Sequence, residues 1–308
     1  MKISVIMAVH NARSTMDRML QGLQEQTLDD FEIIIVDDGS TDGSSMICDE
    51  YAAHDKRIKV IHQDNGGVSA ARQTGLNAAC GKYVIHADAD DYVEPMMLER
   101  LYAKAEEENA DVVFCDYFVD ESDGKVGLRI QKPLNTSEET LVAMLSGHLL
   151  GCCWNKLVRR TTLLKYGIRF PKGLNYCEDL HIWVQLLQHP NVKTTYVNKA
   201  FYHYVTNYNS ATRKGSVKML QAIRLFTKKM AESLPRGNAV IERYIATLPI
   251  APFQYAFQNR LVSDNESRAE YKRLRRVIWS DTRSIRWKIG YIMIELHLMH
   301  LARKLLRL

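Results

Sequence analysis

Three carboxylates fall within four residues at Asp88-Ala89-Asp90-Asp91, directly after the apolar run Tyr83-Val84-Ile85-His86. Charges so close repel one another unless water solvates them or a cation neutralises them, and a hard divalent ion with oxygen ligands is a natural counter-charge. Mg²⁺ takes one or two carboxylates and completes its shell with phosphate oxygens, which suits a nucleotide diphosphate better than an all-protein cage. The same run reads equally as a solvated acidic turn with Asp91 capping the next helix. A second acid pair, Glu178-Asp179, opens the pattern EDLHIWVQLL. Acids in a first helical turn favour the macrodipole whether or not they do chemistry.

The elements that would carry these groups follow from hydrophobic periodicity. Residues 3–9 and 32–37 are continuous apolar runs, the pattern of strands buried on both faces of a parallel sheet. Between them Met16, Met19, Leu20 and Leu23 recur at helical spacing. Helices at about 43–53 and 68–79 alternate with strands at 58–61 and 83–86, with Gly81 as a C-cap signal. Strand–helix alternation predicts an α/β fold with a doubly wound, mostly parallel sheet flanked by helices. In such sheets ligands bind beyond the C-terminal strand ends. Asn11, Asp37, Asp38 and Asp88 to Asp91 all fall at such ends. Ser40 to Asp42 reads equally as a turn and helix N-cap.

Farther along, a helix is expected at 95–109, a strand at 111–116 and a hairpin or excursion over 120–137. Helices follow at about 138–147, 161–166 and 178–188, then a strand at 192–204 and a polar loop from Thr206 to Gly215. From Ser216 onward the chain reads as helix: 216–234, 238–261, 266–279 and 284–306. Residues 1–210 hold 21 Lys/Arg against 29 Asp/Glu, while 211–308 hold 20 against 7, so an acidic body of −8 precedes a basic tail of +13. Apolar residues make up 46% and charged residues 25%, which excludes fibrous and disordered classes. Six cysteines without C-x-x-C spacing exclude a zinc ribbon, and most are expected to be buried thiols in a reducing compartment. The short apolar N-terminus does not read as a signal peptide and no run reaches about 18 apolar residues. A cytoplasmic location is expected, with a peripheral place on the inner face of the plasma membrane if the basic tail meets anionic lipid.

Four ordered stretches, SVIMAVHNA, QTLDDFEIIIVDDGSTDGS, NGGVSAARQTGLNAACGKY and DADDYVEP, resemble the donor-binding half of the family 2 glycosyltransferases. The resemblance covers nearly all of the first hundred residues and implies a GT-A fold over residues 1–210. Residues 1–100 would form the nucleotide-sugar donor half, 101–210 the acceptor half, and 211–308 a basic helical C-terminal extension. It implies an inverting transferase that moves a sugar from a nucleotide-diphosphate donor, a UDP-sugar in the common case, to a hydroxyl of a glycan or lipid-linked acceptor in cell-surface polysaccharide synthesis. Donor binding would fall to Val9, Asn11, Asp38, Arg72 and Asp88, with Asn11 and Asp38 near base and ribose. Asp88 and Asp90 would form the D-x-D element that holds a divalent metal, Mn²⁺ or Mg²⁺. Glu178-Asp179 resembles the family's Glu-Asp motif and Trp154-Asn155-Lys156-Leu157 its Asn-Lys-Leu element. Asp179 is then the candidate general base, Glu178 positions sugar or acceptor, and Lys156 holds an anionic group or pairs with these acids. The loop after Phe201-Tyr202-His203-Tyr204 resembles a lid, with Ser210 and Arg213 toward the diphosphate and His203 completing the metal shell. Ala8, His10, Gln73 and Val205 depart from the family's usual proline, tyrosine, asparagine and arginine. His86 is expected to be a strand residue satisfied by a backbone partner.

The tail places Ile285, Ile289, Ile292, Leu296 and Met299 on one stripe, flanked by Arg283, Arg286, Lys288, Arg303, Lys304 and Arg307. A basic amphipathic helix of this kind suits an anionic membrane surface over 283–308, or packs its stripe on the protein's own core. Nucleic acid is not an expected partner, since no binding motif accompanies the charge. Two competing readings are a sugar nucleotidyltransferase and a non-catalytic nucleotide- or glycan-binding scaffold. Val9-His10-Asn11-Ala12 lacks the glycine-rich phosphate loop of the first, and the acids needed for chemistry argue against the second.

Overall fold

Strand β1 (Ile3–Val9) begins the sheet, and its apolar run is buried on both faces as the sequence predicts. Helix α1 (Met16–Gln24) adds Met16, Met19, Leu20 and Leu23 to the same core, all buried. Strand β2 (Phe31–Asp38) is buried at every position. Helix α2 (Ser44–His54), strand β3 (Ile58–Gln63), helix α3 (Val68–Ala78) and strand β4 (Tyr83–Asp88) complete the alternation. The computed structural model describes residues 1–206, 215–281 and 285–306.

The next elements are β5 (Tyr92–Val93), α4 (Met97–Glu107), β6 (Val112–Asp120) and β7 (Val126–Arg129). They continue with α5 (Ser137–Leu145), β8 (Lys156–Arg159), α6 (Arg160–Lys165), α7 (Glu178–Leu187) and β9 (Thr194–Val205). The sheet runs β3-β2-β1-β4-β8-β6-β9-β5, with β7 paired to β6. The first four strands are parallel. Strand β8 then runs antiparallel to both β4 and β6, while β6 and β9 are parallel. The order reverses between β1 and β4, the switch point where an open α/β sheet leaves a crevice. Register places Ala8 opposite Asp88 and Val9 opposite Asp37, so the polar strand ends lie side by side.

The chain divides into two compact units, Met1–Asn207 and Tyr208–Leu308. The second holds helices α8 (Val217–Ser233), α9 (Ala239–Thr247), α10 (Ile250–Gln258), α11 (Asp264–Asp281), α12 (Ile285–Glu295) and α13 (Met299–Leu306). Two expected long helices are each two helices. The stretch 238–261 divides at Leu248-Pro249, where proline can donate no helical N–H. The stretch 284–306 divides at His297, whose left-handed φ of 64° ends α12. Leu298 N donates to Met293 O and His297 N to Ile294 O, the paired bonds of a Schellman stop.

Helix α12 buries Gly290, Tyr291 and Ile294 in the core of this unit. The apolar stripe read from the sequence faces outward instead, with Ile285 73%, Ile289 42%, Ile292 44% and Leu296 62% exposed. Met299 departs from that stripe and is buried. Arg283 and Arg307 lie outside the described residues. Among the described residues no helix is long and apolar enough to cross a membrane.

Candidate functional site

At the end of β1, Val9 is buried and Asn11 takes a left-handed φ of 53°. Asn11 Oδ1 accepts from Thr41 N at 2.8 Å, and Ser40 Oγ accepts from Asn11 N at 3.0 Å. Asn11 thereby fastens the β1 end to the turn after β2. Asp37 turns inward, accepting from Ser40 N and Ser45 Oγ and facing His62 Nδ1 at 2.9 Å. Burial opposes its ionisation, but these bonds outweigh burial and hold the carboxyl down at about 2.

The Asp38 carboxylate is fully engaged. Oδ1 accepts from Gln63 Nε2 at 2.7 Å and Gly66 N at 2.9 Å, and Oδ2 from Gly67 N at 2.7 Å. These bonds shape the loop that launches α3. Gly67 has φ +85°, and a Cβ there would strike the Asn175 side chain at 2.3 Å. Ser69 Oγ donates to Leu174 O, so the start of α3 is tied to the loop before α7.

These ties aim Arg72, on α3, at acids from two different elements. Nη2 donates to Asp88 Oδ1 at 2.7 Å, at the end of β4. Nη1 donates to Glu178 Oε1 at 2.6 Å and to Asp179 Oδ1, both in the first turn of α7. Cys153 N donates to Asp179 Oδ2 at 2.9 Å. One buried guanidinium therefore gathers Asp88, Glu178 and Asp179 into one site. Burial would lower its affinity for the proton, but Asp179, Asp88 and Glu178 together raise it well above the usual arginine value.

The acids outnumber this cation, and their protonation reflects it. Burial pushes Glu178 up to about 7, against the pull of Arg72. Burial also raises Asp179, with Arg72 opposing and Asp88 adding to the rise. Asp90 is raised by burial and then by the charge of Asp88. Asp91, raised by burial and by Asp88 to about 8, does not face the site as a free ligand. Its carboxylate accepts from Tyr202 Oη and Val205 N, each at 2.8 Å, and so ties β9 to the acidic run. Tyr202 Oη in turn accepts from Asp88 N at 3.1 Å and its ring stacks on Trp154 with centroids 4.2 Å apart.

Of the two acids expected to hold an ion, Asp88 has Oδ1 taken by Arg72 Nη2 at 2.7 Å, and Asp90 is partly buried beside it. Among the described residues no group of three or more His, Cys, Asp or Glu could hold a metal. A divalent ion bound here would take one or two carboxylate oxygens from the protein and the rest from a diphosphate and water. A negative surplus around Arg72 is the electrostatic counterpart of that fit.

His203, expected to complete a metal shell, has both ring nitrogens engaged elsewhere. Nε2 faces Glu94 Oε1 at 3.0 Å and Nδ1 faces Asp120 at 3.2 Å, while the ring stacks on Tyr92 at 4.1 Å. Pairing of Tyr92 with His203 between β5 and β9 dictates this placement. Among the described residues, Lys156 pairs with none of the acids and faces no carboxylate. Its buried Nζ donates to Leu150 O, Cys152 O and Asn155 Oδ1. Among the described residues the buried His86 Nδ1 has no hydrogen-bond partner, contrary to the expected backbone bond, and burial holds the ring well below the usual histidine value. Ser210 and Arg213 lie outside the described residues.

Sequence reasoning missed the Cys153 N–H, the Asp91–Tyr202 tie and the Gln63 bond to Asp38. Backbone donors carry no residue signal, whereas the aromatic run at 201–204, closing a long strand, is a signal that could have pointed to Tyr202.

The profile of glycosyl transferase family 2 matches residues 4–167, more than half of the chain. EpsH of Bacillus subtilis, a protein assigned to the glycosyltransferases, is 32% identical over 254 residues, covering 78% of this chain and 71% of EpsH. The cholesterol galactosyltransferase of Borreliella burgdorferi is 34% identical over 249 residues, 76% of this chain and 68% of that protein. Among solved structures, S. aureus TarS 1-349 in complex with UDP-GlcNAc superposes with a TM-score of 0.68 at 19% identity, covering 99% of this chain and 90% of that one. At that identity the likeness bears on the fold alone.

Proposed function

Because this chain belongs to glycosyl transferase family 2 and is a glycosyltransferase that uses a nucleotide-sugar donor, we propose that it transfers the sugar of a UDP-sugar with inversion at C1. The observation that carries this reading is the Arg72 bridge, which joins the donor-side Asp88 to the acceptor-side Glu178-Asp179. The diphosphate would lie beyond the β1 and β4 ends, with Val9, Asn11 and the Asp38-shaped loop lining the nucleotide end. Asp90, with Asp88, would hold the divalent ion, Mn²⁺ or Mg²⁺. When bound, that ion neutralises the leaving diphosphate.

Asp179 is the base in this reading. Its carboxylate takes the proton of the acceptor hydroxyl as that oxygen forms a bond to C1, and the C1–O bond to the diphosphate breaks with its electron pair leaving on phosphate. Arg72 and the Cys153 N–H hold both carboxylate oxygens so that the group is aimed before the acceptor arrives. Glu178, with a proton affinity near neutrality, positions sugar or acceptor hydroxyls.

The acceptor is a glycan or lipid-linked hydroxyl in polysaccharide synthesis. A lipid-linked acceptor agrees with the outward apolar row of α12 and the +13 charge of residues 211–308. We place the enzyme in the cytoplasm, peripheral to an anionic membrane. A donor panel of UDP-, GDP- and dTDP-sugars incubated with Mn²⁺ tests the donor site. UDP release from a UDP-sugar, lost in Asp90→Ala, is expected. Equal release by Asp90→Ala would overturn the metal assignment.

A further inference from the structure

Lys156 is wholly buried, and its ammonium carries three donors, each with an acceptor drawn from one short loop. Leu150 O and Cys152 O each lie 2.9 Å from Nζ, and Asn155 Oδ1 completes the set. Among the described residues no carboxylate forms an ion pair with it. The charge rests instead over the faces of Phe114 and Trp183, at 5.2 and 5.4 Å from the ring centroids. A buried cation spent wholly on backbone and amide oxygens fixes the shape of that loop, since without it those acceptors would lose their donor.

The same loop is gripped from α7. Trp183 Nε1 donates to Cys152 O at 3.0 Å, so that carbonyl accepts from both the tryptophan and Lys156. Trp183 lies one helical turn beyond Asp179, on the same face. Gly151 packs so closely on α7 that a Cβ would come within 2.7 Å of Leu180 Cδ1 and 3.1 Å of its Cβ. Asn155 Nδ2 anchors the far end to Cys115 O at 2.8 Å. Between these clamps the chain has one orientation, and it points the Cys153 N–H at Asp179 Oδ2 at 2.9 Å.

We propose that Lys156 is a positioning residue for the reaction: an internal cation that folds residues 150–155 into a cradle whose Cys153 N–H aims and polarises the base Asp179. This rests on the reading of Asp179 as base. Lys156 touches no reacting atom. Loss of its charge frees the cradle, withdraws the N–H from Asp179, and leaves a carboxylate that is both less aligned and protonated at higher pH.

The test uses the full chain and hydrolysis of a UDP-sugar by water with Mn²⁺, comparing wild type, Lys156→Met, Trp183→Phe and Asp179→Asn. Lys156→Met is expected to lower kcat by about 10²-fold with donor KM changed by about twofold or less, and to move the acid limb of the kcat profile to higher pH. Trp183→Phe keeps an aromatic ring, though a smaller one, but removes the Nε1 donor, and should shift the limb in the same direction by less. It carries the test if Lys156→Met does not fold. An unmoved acid limb and near-wild-type kcat in the folded variants, with Asp179→Asn inactive, would overturn the positioning role. Retained hydrolysis in Asp179→Asn would instead overturn the base assignment, whichever way the Lys156 variant behaves.

Discussion

A guanidinium that reaches Asp88, Glu178 and Asp179 at once gives the site its shape as well as its charge balance. Arginine suits this task because its rigid fork can serve several carboxylates in one plane, whereas lysine is a point charge on a flexible stem. Arg72→Lys should keep the net charge but lose the bridge, lowering turnover by about 10²-fold through misalignment. Thermal unfolding should register a loss of about 1–3 kcal/mol from carboxylates left short of donors. Unchanged turnover and melting in this variant would mean that the bridge is incidental. At this scale the acids themselves were legible, because charges at strand ends stand out from apolar runs. Their partners were not. Asp38 is held by Gly66 N and Gly67 N, and Asp179 by Cys153 N, none of which leaves a trace in side-chain pattern. Lys156 was legible as a motif residue, yet its acceptors are the carbonyls of Leu150 and Cys152, which no spacing rule reveals.

Among the elements, β4 and β9 are joined at the site by Asp91, which accepts from Tyr202 Oη and Val205 N. Burial, then the charge of Asp88, raises Asp91 to about 8, far above the unfolded value of about 3.9. A group raised on folding makes the native state bind its proton more tightly. The resulting stability is full below about pH 4 and is lost as pH rises toward about 8. Asp91→Asn should therefore flatten part of the fall in urea midpoint between pH 5 and pH 8, leaving the share due to Glu178 and Asp179. An unaltered slope would show that Asp91 is ionised throughout. The parallel half of the sheet was readable because β1 and β2 are continuous apolar runs. Strand β8 was not, since four residues, KLVR, are too few to show a period. Likewise Pro249 and the left-handed His297 cut helices whose apolar spacing runs on past the break.

For the whole molecule, charge and apolar exposure concentrate in the same C-terminal stretch. Helix α12 is apolar on two faces, so periodicity could identify the stripe of Ile285, Ile289, Ile292 and Leu296 but not which face meets the core. The core takes Tyr291 and Ile294, and the stripe is left outside. An apolar row among basic residues suits an anionic bilayer, where burial of side chains and attraction to headgroups act together. Full-length protein should co-sediment with phosphatidylglycerol-containing vesicles at low salt and not with neutral ones, and Ile289→Glu with Ile292→Glu should abolish it. Equal binding by the double variant, or none by wild type, would remove the membrane from this picture.

The proposed function rests most heavily on Asp179, held by Arg72 and the Cys153 N–H, as the base of a nucleotide-sugar transferase. Steady-state hydrolysis of a UDP-sugar with Mn²⁺, compared between wild type and Asp179→Asn across pH, tests it most directly. The near-isosteric variant should still bind UDP but lose turnover by about 10²–10⁴-fold, without an acid limb. Wild-type turnover with the same acid limb in Asp179→Asn would contradict it.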